Sequence, residues 1–267
     1  PRLELEGAAI GTLISRFFML GFMYFILKKK KKFSTYFIWA KKSLQQKIFK
    51  RLFNLGFPTA LQMLFEVAIF TASVFLAGTL GTNAQAANQV ALNLSSMTFM
   101  IAVGIGVTAT IRVGNQKGQH NYEELRRIAF STFFLVFIIE AFFALGFILL
   151  KDLLPVFYID NAEVIALAAQ LLIVAALFQL SDGLQVVILG ALRGLQDVRY
   201  PTLICFFAYW VIGFPVSYLL GKENAMGSMG IWFGLLVGLS ASSILLYIRF
   251  NYLSKKLIER GVIKDLL

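Results

Sequence analysis

Seven apolar stretches, each long enough to cross a bilayer, constrain the fold of this sequence more than any other feature. A membrane-spanning helix needs about 20 predominantly apolar residues. Seven segments meet this requirement, at about residues 7–27, 53–80, 86–111, 128–150, 163–192, 200–220 and 228–250. Neither an alternating strand pattern nor a sustained heptad competes with them, and only 15% of the residues are charged. The sequence therefore predicts an all-α, polytopic membrane helical bundle.

The positive residues are distributed unevenly between the loops. If the loop at 28–52 is cytoplasmic, 21 of the 25 Lys and Arg residues fall on the cytoplasmic side and three on the other. Cytoplasmic loops are enriched in Lys and Arg, so we predict an outside N-terminus and a cytoplasmic C-terminus. The net charge of +11 lies at the span ends, which favours a lipid bilayer over nucleic acid as the partner. Residues 33–52 are amphipathic, so this segment either lies on the inner leaflet or simply links two bundles.

A carboxylate lies inside the fifth apolar stretch, at Asp182. An Asp at the centre of a membrane helix costs roughly 2.5–3.5 kcal/mol on insertion scales, so such residues usually mark a cation or proton site. Phe178 precedes Asp182 by four residues, which places both side chains on one helix face. A carboxylate beside an aromatic ring can hold an organic cation or a metal ion. Core packing is the alternative explanation for Phe178.

A second carboxylate, Glu66, lies at a similar depth in the second stretch. At 1.5 Å per residue, Glu66 lies roughly 20 Å and Asp182 roughly 17 Å from the predicted cytoplasmic ends of their spans. The two side chains can therefore share one cavity, where they would hold a proton between them or coordinate Na⁺. Hydrogen bonds from neighbouring Gln or Ser residues would be the purely structural explanation.

Other polar residues within the spans are open to two interpretations. Glu140 and Arg16 need a partner or water at that depth, and Glu140 is a candidate third carboxylate of the cavity. Amides in spans either line a cavity or form hydrogen bonds between helices; the candidates are Gln62, Asn88, Gln89, Asn93 and Gln179. We find no nucleotide-binding loop, no nucleophile with a positioned base and no zinc spacing, so we predict neither an enzyme nor a resident cofactor.

Three groups of short motifs lie in and beside the apolar stretches. They are the run from Ala86 to Asn93 with Ser95-Ser96, Gly104-Ile105-Gly106, Ile111-Arg112-Val113-Gly114 and Gly118; Gly56-Phe57-Pro58 followed by Glu66; and the run from Ala176 to Val187 with Leu192-Arg193-Gly194 and Asp197. Together these motifs resemble the multidrug and toxic compound extrusion (MATE) family, and its bacterial NorM subfamily in particular. Their order and spacing agree with the family over residues 1–252.

The resemblance implies twelve spans in two lobes of six, of which this chain holds part. Residues 1–27 would be the last helix of the N-lobe, 28–52 the interlobe linker, 53–252 the C-lobe and 253–267 a cytoplasmic tail. The chain begins at Pro1 without Met, so we expect a fragment whose partner is the missing N-lobe.

The resemblance also implies an activity, namely export of cationic drugs across the bacterial inner membrane in exchange for Na⁺ or H⁺ by alternating access. Glu66 and Asp182 match the family's coupling and drug-binding carboxylates, which would hold Na⁺ in a sodium-coupled protein. Phe178 matches a position where the family often has Tyr, and Thr12 matches a polar corner of the N-lobe cavity.

Three other functions remain as alternatives. A lipid-linked oligosaccharide flippase has a related architecture, but its cavity tends to be basic. A membrane enzyme would need a convergent catalytic set, and none is visible. A structural protein or a receptor would not need two carboxylates at one depth.

Overall fold

The structure, a computed structural model, describes residues 4–29, 46–222 and 225–265. Within these ranges seven helical segments are long and apolar enough to cross a membrane, which confirms the predicted all-α bundle. The helices are α1 (Glu4–Lys29), α2 (Gln46–Thr79), α3 (Thr82–Gly118), α4 (Tyr122–Leu149), α5 (Ala162–Gly194), α6 (Arg199–Phe206), α7 (Phe214–Leu220) and α8 (Ser228–Asp265), with a 3-10 turn at Leu154–Phe157 and a π-helical segment at Phe207–Gly213. The segments from α6 to α7 together form one span.

Several helices extend beyond the apolar stretches that predicted them. Helix α2 begins at Gln46 rather than near residue 53, and α8 continues to Asp265 rather than ending near residue 250. Hydropathy identifies only the apolar part of a helix, whereas the backbone hydrogen bonds continue through its polar turns. On α8 the guanidinium of Arg126 donates to Asn251 Oδ1 at 2.6 Å and to Ser254 Oγ at 2.7 Å. Since α8 extends to Asp265, the described residues of the predicted tail at 253–267 are helical.

The chain divides into two compact units, Pro1–Phe49 and Lys50–Leu267. In the first unit, α1 exposes apolar side chains along its length, among them Phe17 and Phe18. Most of the predicted linker, including the greater part of the amphipathic segment, lies outside the described residues. The predicted domain limits stay predictions.

In the second unit, α5 is the central helix and packs against α3, α4 and α8. Its apolar residues are buried on several faces, including Leu172, Val187 and Ile188. Asn161 caps its N-terminus, because the Asn161 side chain accepts hydrogen bonds from the backbone N–H groups of Glu163 and Val164. A side-chain oxygen in this position satisfies donors that the first helical turn leaves free.

Helices α3 and α5 approach each other so closely that their backbones touch. A Cβ atom added at Gly190 would lie 2.2 Å from the carbonyl oxygen of Gly106, so only glycine fits there. The hydroxyl of Thr110 donates to the carbonyl oxygen of Gly190 at 2.9 Å. Small residues permit this close packing between membrane helices, and the contact fixes which faces of α3 and α5 point toward α2.

Candidate functional site

A cavity of about 480 Å³ lies between α2, α3 and α5. On each helix the lining residues recur at intervals of three, four or seven, so each helix contributes one face to the cavity. The lining consists of Met63, Glu66, Val67 and Phe70 from α2; Gln89, Leu92, Asn93, Ser95, Ser96, Phe99 and Val103 from α3; and Phe178, Asp182, Val186 and Arg193 from α5. The cavity is thus mainly apolar, with polar groups on all three helices, as is typical of small-molecule sites.

Both sequence-predicted carboxylates, Glu66 and Asp182, line this cavity. Glu66 is half-buried and Asp182 is only 6% exposed. Asp182 Oδ1 has no hydrogen-bond partner among the described residues, and Asp182 lies within electrostatic reach of Glu66. Two carboxylates in one poorly solvated cavity repel each other, so a bound cation or proton between them lowers their energy.

The cavity also holds a positive charge, on Arg193. Its Nη2 atom donates to Gln62 Oε1 at 3.1 Å, and its charge acts on Glu66. From the sequence, Arg193 counts among the cytoplasmic positive charges and belongs to a family motif, but it is not predicted as a site residue. A signal was present nonetheless: Arg193 follows Asp182 by eleven residues, about three helical turns, which returns to the same face.

Phe178 belongs both to the cavity wall and to an aromatic cluster behind it. The side chain is 2% exposed, and its ring meets Phe70 edge-on at 5.9 Å and Trp232 at 5.3 Å between centroids. The indole N–H of Trp232 donates to Asn88 Oδ1 at 2.9 Å. These contacts therefore hold the ring of Phe178 in one orientation. Phe178 both packs against the aromatic cluster and lines the cavity.

The five amides separate into two groups. Gln89 and Asn93 line the cavity, whereas Gln62, Asn88 and Gln179 do not. Gln62 instead holds Arg193, and Asn88 holds Trp232. The side chain of Gln179 accepts a hydrogen bond from Thr98 at 3.1 Å and donates to the backbone carbonyl of Glu140 at 3.2 Å, so it connects α3, α4 and α5.

Glu140 does not line the cavity but lies on α4 against the neighbouring face of α5. A Cβ atom added at Gly183 would lie 2.6 Å from Glu140 Cγ. Glu140 is 1% exposed, and neither carboxylate oxygen has a hydrogen-bond partner in the part of the chain that the structure describes. Its charge reaches Asp182 from behind α5. Thr12 and Arg16 lie on one face of α1, in the first unit.

The oxygen atoms of the cavity match the chemistry of a hard cation such as Na⁺, which prefers carboxylate, carbonyl and water ligands. Within residues 4–29, 46–222 and 225–265, no group of three or more His, Cys, Asp or Glu side chains is placed to hold one metal ion. A Na⁺ ion at Glu66 and Asp182 would therefore need further oxygens. Ser95, whose buried Oγ has no partner among the described residues, stands in the same lining.

Comparison with known sequences places this bundle in a family. The MatE family profile matches residues 58–219. The chain belongs to the MATE family. The match spans most of α2 and continues through α7, and so contains the whole lining of the cavity.

Curated relatives agree with the MATE assignment. The multidrug resistance protein NorM of Photobacterium profundum is 36% identical over 260 residues, which are 95% of this chain and 57% of that protein. The multidrug resistance protein MdtK of Proteus mirabilis is 40% identical over 211 residues, 78% of this chain and 46% of that protein. The chain thus spans about half the length of these relatives.

A solved structure shows the same fold. It is the outward-facing conformation of a multidrug resistance MATE family transporter of the MOP superfamily, with a TM-score of 0.82 at 20% sequence identity, covering 95% of this chain and 57% of that one. The resemblance to NorM-like MATE transporters is therefore confirmed. With seven apolar helices of spanning length in its described ranges, the chain is a multi-pass membrane protein.

Proposed function

We propose that this chain is the C-lobe part of a multidrug exporter that releases organic cations in exchange for Na⁺ or H⁺. The observation that carries the proposal is the shared cavity, in which Glu66 and Asp182 stand beside the ring of Phe178. Carboxylates supply the charge that attracts a cation, and the aromatic face adds a cation–π contact. The relatives named multidrug resistance proteins support drugs as the substrate class.

Exchange follows if the coupling ion and the drug compete for the same two carboxylates. A proton or Na⁺ bound at Glu66 and Asp182 reduces the negative charge that attracts an organic cation, so the coupling ion and the drug exclude each other from the site. Alternating access of the cavity between two lobes would then convert an inward ion gradient into outward drug transport. In this proposal the rest of the transporter supplies the N-lobe, the protein lies in the bacterial inner membrane, and the C-terminus is cytoplasmic.

A flippase for lipid-linked oligosaccharides is the alternative with related architecture. Its substrate carries phosphates and would require a basic cavity, whereas the lining here contains two carboxylates against one arginine. An enzymatic role would require a catalytic set, and we propose none. The charge of the lining therefore supports export of cations.

The decisive experiment is dye efflux from proteoliposomes that contain the full-length protein, with the Na⁺ gradient and the pH gradient imposed separately. We expect efflux of a fluorescent organic cation to depend on one of the two gradients. Glu66→Gln serves as the matched variant, because it removes the charge with little change in shape. Efflux that needs neither gradient, or that is unchanged in Glu66→Gln, would contradict the proposal.

A further inference from the structure

We propose that Arg193 sets the charge that the cavity accepts, so that organic cations with one positive charge bind in preference to those with two. This inference rests on the proposed function and adds a selectivity to it. It concerns a residue that belongs to a family motif without a predicted role, and which the structure places in the wall of the cavity.

The position of Arg193 makes it a fixed charge of the cavity. Its Nη2 atom is anchored on Gln62 Oε1 at 3.1 Å, and Gln62 precedes Glu66 by one helical turn. The guanidinium is therefore held about one turn from Glu66. The Nε atom of Arg193 is buried and has no hydrogen-bond partner in the described part of the chain.

In the part of the chain that the structure describes, no carboxylate forms a direct ion pair with Arg193. Among the described residues the ion pairs are Arg127 with Glu124 and Arg249 with Asp197, and both lie outside the cavity lining. Arg193 contacts an amide instead of a carboxylate. Its positive charge therefore acts on whatever occupies the cavity, including a bound ligand.

The preference for singly charged cations follows from the net charge of the cavity lining. Among the described residues of the lining, the ionisable ones are Glu66, Asp182 and Arg193. With both carboxylates ionised, the lining carries a net charge of −1, which one monovalent cation neutralises. Glu140, whose charge reaches Asp182 from behind α5, lies outside the lining and is the same in every variant compared below. A divalent cation would leave an excess positive charge in a poorly solvated space, where unbalanced charge is costly.

The test uses two dyes that share one phenanthridinium ring system, ethidium with one positive charge and propidium with two. Dissociation constants of both dyes are measured by fluorescence on the purified full-length transporter, at one pH and one ionic strength. The quantity of interest is the propidium-to-ethidium ratio of these constants. The larger size of propidium contributes the same factor to this ratio in every variant, so it cancels when the ratios of two variants are compared.

Arg193→Gln removes the positive charge, and we expect it to strengthen ethidium binding about tenfold and propidium binding about a hundredfold. The energy of a ligand in the field of a fixed charge is the sum over the ligand's own charges. With both charges of propidium at a comparable distance from Arg193, the fold-change for the dication is about the square of that for the monocation. The ratio therefore falls about tenfold. Arg193→Lys keeps the charge and should keep the wild-type ratio.

Two further variants make the experiment independent of how well Arg193→Gln folds. Gln62→Glu places a carboxylate where Arg193 already donates its hydrogen bond, which neutralises the guanidinium without removing it, so the ratio should fall as well. Arg127→Gln removes the same charge from an exposed position on α4 and should leave the ratio unchanged. A purely structural role for Arg193 would weaken both dyes equally.

An unchanged ratio in Arg193→Gln and Gln62→Glu would overturn the inference. If ethidium binding is also lost in Glu66→Gln, the proposed function survives and only the role of Arg193 is refuted. If wild-type protein binds neither dye, the selectivity and the proposed function are refuted together.

Discussion

Replacement of Gly190 by alanine tests whether the contact between α3 and α5 builds the cavity. The added methyl group would lie 2.2 Å from the Gly106 carbonyl oxygen and 2.9 Å from its carbonyl carbon. Both neighbouring atoms belong to the backbone, so neither can rotate away. The two helices must move apart, and the hydrogen bond from Thr110 to the Gly190 carbonyl must lengthen or break.

The expected loss of stability follows from three contributions. Overpacking a tight contact costs about 1–3 kcal/mol, and losing the Thr110 hydrogen bond costs about 1 kcal/mol. Alanine recovers about 1 kcal/mol through its higher helix propensity. Gly190→Ala should therefore destabilise the protein by about 1–3 kcal/mol. At Gly104 on α3, an added Cβ meets no described residue within 4 Å, so Gly104→Ala should show only the stabilising gain in helix propensity.

The assay is thermal unfolding of the full-length protein in detergent. The measured quantity is the fraction of the protein that remains monodisperse after heating. Gly190→Ala should unfold at a lower temperature than wild type, and Gly104→Ala at the same temperature or higher. Dye binding should weaken in Gly190→Ala only, because Val186 and Val103 line the cavity from the two separated helices. Equal stability of the two variants would refute the close contact.

Three further predictions concern the site and the topology. Glu66→Gln and Asp182→Asn should each abolish coupled efflux at normal membrane abundance, and wild-type efflux by both would refute the assignment. Phe178→Ala should weaken binding of aromatic cations by up to about 2 kcal/mol, and more than Phe178→Tyr does; equal affinities of all three proteins would leave Phe178 with packing alone. In right-side-out cells without native cysteines, a cysteine at Lys255 should be protected from an impermeant thiol reagent and one at Thr82 should be labelled; the reverse pattern would invert the predicted topology.

Much of the candidate site was accessible from sequence because charge is expensive in a membrane. Glu66 and Asp182 stand out in apolar stretches, and estimated depth alone suggested one cavity, which both residues do line. Phe178 followed from its helical spacing to Asp182. Their roles in coupling and drug binding stay predictions, because the geometry shows that the side chains line one cavity but does not show transport.

Depth could not reveal which way a side chain points. Glu140 lies inside its span as Glu66 does, yet it faces Gly183 on the neighbouring helix instead of the cavity. Arg193 belongs by position to a helix end, yet it reaches the cavity and Gln62. The amides show the same ambiguity, because Gln89 lines the cavity whereas Asn88, its neighbour in sequence, holds Trp232.

The sequence by itself determined the seven spans and the all-helical class, because the hydropathy of a segment depends only on its own residues. Without water, the backbone hydrogen bonds must be satisfied within the protein, and apolar stretches of about 20 residues without an alternating strand pattern satisfy them as helices. The tertiary structure decided which faces meet, through contacts between residues far apart in the chain, such as Gly106 with Gly190. That contact forms only because both helices have a glycine at the point where they meet. It orients α5 so that Asp182 and Arg193 both line the cavity.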